Sequence, residues 1–130
     1  MNLTEVRERF QDDRYAVMSG AQIDEVGEGY AKCSLKIESM HLNAVGTVMG
    51  GVMFTLADFA FAVAANWNQE KPRVSLSSSI SFLGVPKGEY LIAKAKVKKD
   101  GRTTCYYEVT VTDEQERIVA AVTINGFKKN

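Results

Sequence analysis

The sequence predicts an α+β fold in which a single antiparallel sheet wraps one long buried helix. Three observations carry that prediction. The run Gly50–Asn66, GGVMFTLADFAFAVAAN, is apolar on nearly every face and holds one charge, Asp58; a helix hydrophobic all round is a buried helix. Segments on both sides of it alternate apolar and polar residues with the period of two that marks a strand with one buried and one solvated face. Short turn signals join the later segments, so those strands pair antiparallel with their neighbours.

In order along the chain, residues 1–12 supply a short helix. Within Leu3–Phe10, Thr4 is the expected N-cap, Leu3, Val6 and Phe10 share one face, and Arg7 and Arg9 face solvent. Its expected task is to cover an open end of the core. Ala21–Val26 reads as a strand, Gly27-Glu28-Gly29 as a turn, and Tyr30–Ile37 as a strand with Ala31, Cys33, Leu35 and Ile37 inward. Glu38–Val48 is a polar loop. The helix follows over 50–66, and its alanines allow close approach of a surrounding sheet. Four strands complete the chain. Arg73–Phe82 is serine-rich. Tyr90–Lys98 places Leu91, Ala93, Ala95 and Val97 inward and Lys94, Lys96 and Lys98 outward. Arg102–Thr112 follows the Asp100-Gly101 hairpin signal, with Cys105, Tyr107, Val109 and Val111 on one face. Asp113–Glu116 turns into Arg117–Phe127, and Lys128–Asn130 forms a solvated tail. The whole of 1–130 is expected to form one domain, with no repeat or linker. Its edge strands need cover, and dimerisation is the simplest cover.

Composition removes several function classes. Lys plus Arg and Asp plus Glu are equal at 16 each, so no net field favours nucleic acid or an anionic membrane. One histidine and two distant cysteines, Cys33 and Cys105, make no zinc pattern, and no metal or other cofactor is expected. Both cysteines alternate in step with apolar neighbours, as buried free thiols do in a reducing cytosol. The first residues, MNLTEVRERFQDDRY, are charged and lack the apolar stretch of a signal peptide. The helix run is shorter than the roughly 20 residues a membrane span needs. A cytoplasmic protein is expected.

One resemblance reaches across the chain from about Ala21 to Phe127. HxNxxGxxxGGxxFTLADxAFAxAAN over His41–Asn66, the strand ending SFL, the PKGE turn and the KKDGR turn resemble the hotdog-fold acyl-CoA thioesterases, in particular their PaaI-like (phenylacetate-pathway) branch. The resemblance implies hydrolysis of an acyl-CoA, and the Phe and Met side chains in and before the helix make an aryl or short-to-medium acyl group the expected substrate. It also implies a homodimer or dimer of dimers, with active sites where subunits meet. Met49 departs from the pattern, because the family has a histidine before the Gly-Gly pair. That position therefore offers no hydrogen-bonding group, and a hotdog module that binds or senses acyl-CoA without turnover is the alternative reading.

Several residues stand out for chemistry. A lone carboxylate in an apolar run must be paired, hydrogen-bonded or protonated. Asp58 is thus either a packing residue bonded to a Ser or Thr, or the base or nucleophile that opens a thioester. Gly50 and Gly51 either cap the helix or present free N–H groups, with the positive end of the helix dipole, to a developing oxyanion. By resemblance, Gly50 is the donor. Eight residues separate Gly50 from Asp58, about 12 Å at 1.5 Å per residue. One helix cannot bring both to one carbonyl, whereas two antiparallel helices at a dimer axis can. Asn43 is a turn former or, by resemblance, a holder of the attacking water or the carbonyl. His41 is read as a loop residue bonded to backbone, and Gly46 as a turn former. Ser75, with Ser77 as its rival, takes the place of the family's Ser or Thr that faces the partner's acid. Lys87, Lys98, Lys99 and Arg102 sit at turns where CoA phosphates would bind, or they are simply solvated. Met49, Met53, Phe54, Phe59 and Phe61 supply apolar walls, while Asn66 and Trp67 line a channel or close the core.

Overall fold

The computed structural model describes residues 1–129. The elements are α1 (Leu3–Arg9), α2 (Arg14–Met18), β1 (Gln22–Gly27), β2 (Tyr30–Lys36), α3 (Gly50–Asn66), β3 (Arg73–Phe82), β4 (Tyr90–Asp100), β5 (Thr104–Asp113) and β6 (Ile118–Lys128). The six strands form one antiparallel sheet in the order β1-β2-β4-β5-β6-β3. The long helix α3 lies across its concave face, closest to β2 and β4.

The inward positions are those the alternation marks. Ala31, Cys33 and Leu35 of β2, Leu91, Ala93 and Ala95 of β4, and Cys105, Tyr107, Val109 and Val111 of β5 are all buried against α3. Small residues at the centre of β2 and β4 let α3 approach closely, and its large side chains fill the ends. Phe61 meets Tyr107 edge to face at 5.2 Å between ring centroids. Each fully buried side chain of the size of Leu56 or Phe61 contributes on the order of 1.5–3 kcal/mol. Both cysteines are free and buried.

The N-terminal segment differs from the single helix expected over 1–12. Two short helices cover the open side of the core. Asn2, and not Thr4, caps α1, because that register puts Glu5 at the third helical position. The Asn2 side chain accepts from the Glu5 N–H while the Glu5 carboxylate accepts from the Asn2 N–H, a reciprocal pair that Thr4 cannot make. Arg7 and Arg9 are exposed, as expected, and each also reaches backbone. Arg7 Nε donates to the Ile23 carbonyl at 2.9 Å, and the Arg9 guanidinium reaches the carbonyls of Trp67 and Gln69. Val6 is fully buried, and Phe10 meets Phe59 edge to face at 6.2 Å. These contacts tie α1 to β1 and α3 together.

Smaller corrections concern strand ends. A bulge between Val97 and Lys99 interrupts the register, Lys98 stays on the outer side with Glu108, and β4 continues to Asp100. Lys128 belongs to β6 and pairs with Asp100 at 2.9 Å, so it is no solvated tail; Asn130 lies outside the described residues. Arg117 precedes β6 and grips Asp113.

The two sheet edges are treated differently. β1 is backed by α1. β3 has no further strand along its outer edge among the described residues, and Leu76 and Phe82 on it are 63% and 55% exposed.

Candidate functional site

The loop before α3 is held from within, and its anchors aim the helix. His41 is buried; its Nδ1 accepts from the Glu38 N–H at 2.8 Å, so Nε2 carries the proton and donates to the Ser19 carbonyl at 2.7 Å. The His41 carbonyl in turn accepts from the Met49 N–H at 2.9 Å. Asn43 is spent on its own turn. Its Oδ1 accepts from the Val45 and Thr47 N–H groups, both at 3.1 Å, and its Nδ2 donates to Thr47 Oγ1 at 3.0 Å. Gly46 takes φ 83°, which only glycine adopts freely.

Met49 is the N-cap of α3, and its side chain makes no capping hydrogen bond. Val52 N–H turns back to the Met49 carbonyl at 3.0 Å. The N–H groups of Gly50 and Gly51 have no partner among the described residues. They form a two-donor site at the positive end of a 17-residue helix. A Cβ on Gly50 would stand 2.7 Å from the ring of Phe82. Glycine therefore lets the Phe82 ring pack close against the start of the helix.

Asp58 is not sealed in the core. The helix leaves one stripe partly open, formed by Gly51, Thr55, Asp58, Ala62 and Asn66 at spacings of three and four. Thr55 is not bonded to the acid; its hydroxyl donates to the Gly51 carbonyl at 2.8 Å. Among the described residues the Asp58 carboxylate accepts no hydrogen bond and makes no ion pair. It lines a cavity of about 210 Å³ with Asp13, Tyr15, Ala16, Phe54, Thr55 and Phe59. Burial, and secondly the Asp13 charge, hold the Asp58 carboxyl above the usual carboxylate range. The packing role, in which Asp58 bonds a Ser or Thr, thus finds no bond among the described residues.

The other sequence candidates separate. Ser75 stands opposite the buried Gly126 on the helix side of the sheet, whereas Ser77 stands opposite Asn125 on the outer side and pairs with its side chain at 3.4 Å. A bulge between the two flips the alternation, and with it Ser78 joins Ser75 on the inner face opposite Ile124. Asn66 clamps the end of α3 to the start of β3, accepting from the Arg73 N–H at 2.7 Å and donating to the Arg73 carbonyl at 3.0 Å. Trp67 is half-buried and donates its indole N–H to the Gly27 carbonyl at 2.9 Å, so it closes the core. Lys87 precedes the start of β4, on the side of Phe82 and Gly50, while Lys99 and Arg102 flank its far end beside Cys105. One subunit cannot close all three around one phosphate. Lys98 pairs with Glu108 at 3.4 Å.

Two acids escaped the sequence reading. Asp13 faces Asp58 across its cavity. Asp113 is wholly buried, and it accepts from the N–H groups of Lys87, Gln115 and Arg117 and from the Arg117 guanidinium at 2.9–3.1 Å. Burial alone pushes Asp113 up, but these donors outweigh it and bring the carboxyl down to about 2. Both acids lie in charged stretches, QDDR and DEQER, where spacing does not tell a facing carboxylate from a solvated one.

A sheet curled about one long helix, with an acid on an otherwise apolar helix and free N–H groups at its start, defines the hotdog class. The family model for the thioesterase superfamily matches residues 45–120, which include both features. The chain belongs to the thioesterase superfamily, with the hotdog fold of its PaaI-like members. It is 34% identical over 122 residues to a putative esterase of Archaeoglobus fulgidus, covering 93% of this chain and 79% of that one. It is 32% identical over 112 residues to the acyl-coenzyme A thioesterase PaaI of Escherichia coli, covering 85% of this chain and 79% of the relative. The solved structure of that E. coli protein, from the phenylacetic acid degradation operon, superposes with a TM-score of 0.85 over 99% of this chain and 97% of its own, at 27% identity. A hypothetical thioesterase from Streptococcus pneumoniae, solved with coenzyme A, gives 0.81 over 93% of this chain and 99% of its own, at 26% identity.

Proposed function

We propose that this protein is an acyl-CoA thioesterase: acyl-CoA plus water gives a free acid plus CoA. The observation that carries the reading is Asp58. It is the one charge on an apolar helix, without a bonding partner among the described residues and open to a cavity. Nothing in the fold needs a carboxylate there. In this reading Asp58 takes a proton from the attacking water or attacks the carbonyl itself, and in either role it acts ionised. The oxyanion is received by Gly50, with Gly51 beside it, and the CoA thiolate leaves. The continuous helix keeps Gly50 and Asp58 eight residues apart, so the site is completed by the partner's helix in a homodimer. The bare β3 edge and its exposed apolar side chains support that assembly. A dimer of dimers and a cytoplasmic location, which the two free thiols suit, complete the proposal.

The remaining sites follow from the same reading. Ser75 faces the partner's acid from the inner side of β3. Met49, 46% exposed at the helix start, lies against the pantetheine. Lys87 from one subunit, and Lys99 with Arg102 from another, reach the CoA phosphates, which accounts for their wide separation within one chain. The aryl or short-to-medium acyl group lies against Phe54 and Phe59.

The test is release of free thiol from a panel of acyl-CoAs running from acetyl through medium-chain to phenylacetyl. Turnover by the wild type is expected, with a loss of at least about 100-fold in Asp58→Asn. Absence of turnover on every acyl group, with CoA ligands still bound, would replace the enzyme with the second reading, a binding module. Met49 favours that module, since a thioether at the helix cap donates no hydrogen bond to the substrate.

A further inference from the structure

Asp13 is the N-cap residue of α2, yet its side chain makes no capping bond. An aspartate at that position ordinarily accepts from the first turn of its helix. Here the carboxylate instead lines the cavity that Asp58 opens into, with Tyr15, Ala16, Phe54, Thr55 and Phe59 as the other walls. Neither carboxylate has a hydrogen-bond or ion-pair partner among the described residues. Two acids therefore face each other across a partly dehydrated space with no cation between them.

We propose that Asp13 is a positioning residue for hydrolysis: across the shared cavity it sets the proton affinity of Asp58, and so makes the α1–α2 segment part of the catalytic apparatus. The inference rests on Asp58 being the reacting carboxylate. Like charges in one site disfavour joint ionisation, so the neighbour's charge raises the proton affinity of the reacting group. A base that holds its proton more tightly is the stronger base toward water once ionised. Burial, and secondly the charge of Asp13, push Asp58 upward, and burial raises Asp13 itself. The groups facing Asp58 are few. Tyr15, on α2 and 71% exposed, is the other titratable side chain of the cavity. α3 carries no second charge. Neither α1 nor any strand presents a titratable group to this cavity among the described residues. Asp13 is thus the one charged group the chain itself sets before Asp58.

The arrangement also gives α2 a purpose that packing does not. Only Ala16 of its five residues is buried, while Val17 and Met18 are 41% and 79% exposed. A segment that contributes so little apolar burial still fixes where the Asp13 carboxylate stands.

The experiment is the pH dependence of kcat/KM for the wild type and for Asp13→Asn, Asp13→Glu and Asp58→Asn, all as the full chain, on whichever acyl-CoA the wild type turns over fastest. Asp13→Asn removes a charge while keeping the shape. The acid limb is expected to move to lower pH, so that the ratio of kcat/KM at pH 5 to that at pH 8 rises about three- to tenfold. Asp13→Glu is expected to keep the wild-type ratio. Added salt should raise that ratio in the wild type and leave it flat in Asp13→Asn. An unchanged ratio in an active Asp13→Asn protein overturns the proposal. Melting temperatures of the variants separate this from loss of fold, and Asp13→Ser supplies a second uncharged side chain should the asparagine misfold. An Asp58→Asn protein as active as the wild type overturns the functional reading itself, a result distinct from an unmoved acid limb.

Discussion

Asp58 and Asp113 share a residue type and little else. Asp113 is surrounded by donors that favour its charge, and its carboxyl titrates at about 2. A carboxylate lowered in the folded state stabilises the fold above its unfolded value of roughly 4, and that contribution is lost as pH falls through the folded value. Asp113→Asn should therefore lower the melting temperature clearly at pH 7, and the difference from wild type should shrink as pH drops from 4 toward 2. Acid-unfolding curves that stay parallel through that range would contradict this. Asp58 lies on the other side of the ledger. Its carboxyl is raised, first by burial and then by Asp13, so its ionisation disfavours the fold, and the penalty grows as pH rises past the ordinary carboxylate range. Asp58→Asn should leave the melting temperature unchanged or higher at pH 8 while abolishing turnover. A lower melting temperature at pH 8 would point back to a packing role. Asp58 was legible in the sequence because its neighbours on α3 are uncharged. Asp113 was not, since it is one of four charged residues in DEQER, and only the fold selects which of them is enclosed.

Among the elements, β6 carries a close approach enclosed by core atoms. A Cβ on Gly126 would stand 2.7 Å from Cys105 Sγ, 2.9 Å from the Phe61 ring and 3.3 Å from the Val74 carbonyl. Two of these neighbours are buried and the third is backbone, so none yields easily. Gly126→Ala is expected to cost about 1–3 kcal/mol, measured by denaturant unfolding with an unchanged slope. A loss under about half of that would mean β3 and β6 separate more readily than the register indicates. α3 and the strands were legible because each presents whole periods of burial: α3 is apolar around nearly its full turn, and β2, β4 and β5 alternate without a break through their middles. α2 was not legible, since five residues with one buried side chain make no period. The bulges between Ser75 and Ser77 and between Val97 and Lys99 were also hidden. Each arises where neighbouring strands must stay in step, a requirement of the partner strand and not of the local residues. The first of them turns Ser75 and Ser77 to opposite faces, a difference that composition does not carry.

At the scale of the whole molecule, the sheet ends on one side in β3, ten residues long, with no further strand along its outer edge among the described residues. A long unpaired edge is a template for a second chain, and Leu76, 63% exposed on that edge, places an apolar side chain where the second chain would run. If the proposed shared site holds, Leu76→Glu shifts the protein toward monomer in sedimentation and lowers kcat/KM by at least about tenfold, since a separated subunit would keep Asp58 without a second Gly50. Full activity in a monomeric variant would remove the shared site. The burial of the two cysteines has a consequence of another kind. Cys33 and Cys105 are 0% and 3% exposed, and burial pushes both thiols up, so neither offers a thiolate at neutral pH. While the sheet stays closed over α3, a thiol-reactive dye meets no thiol from this chain. Dye uptake in the presence of an acyl-CoA then counts cleaved substrate alone, and slow uptake in its absence times the opening of the β2 and β5 strands that hide the two sulfurs.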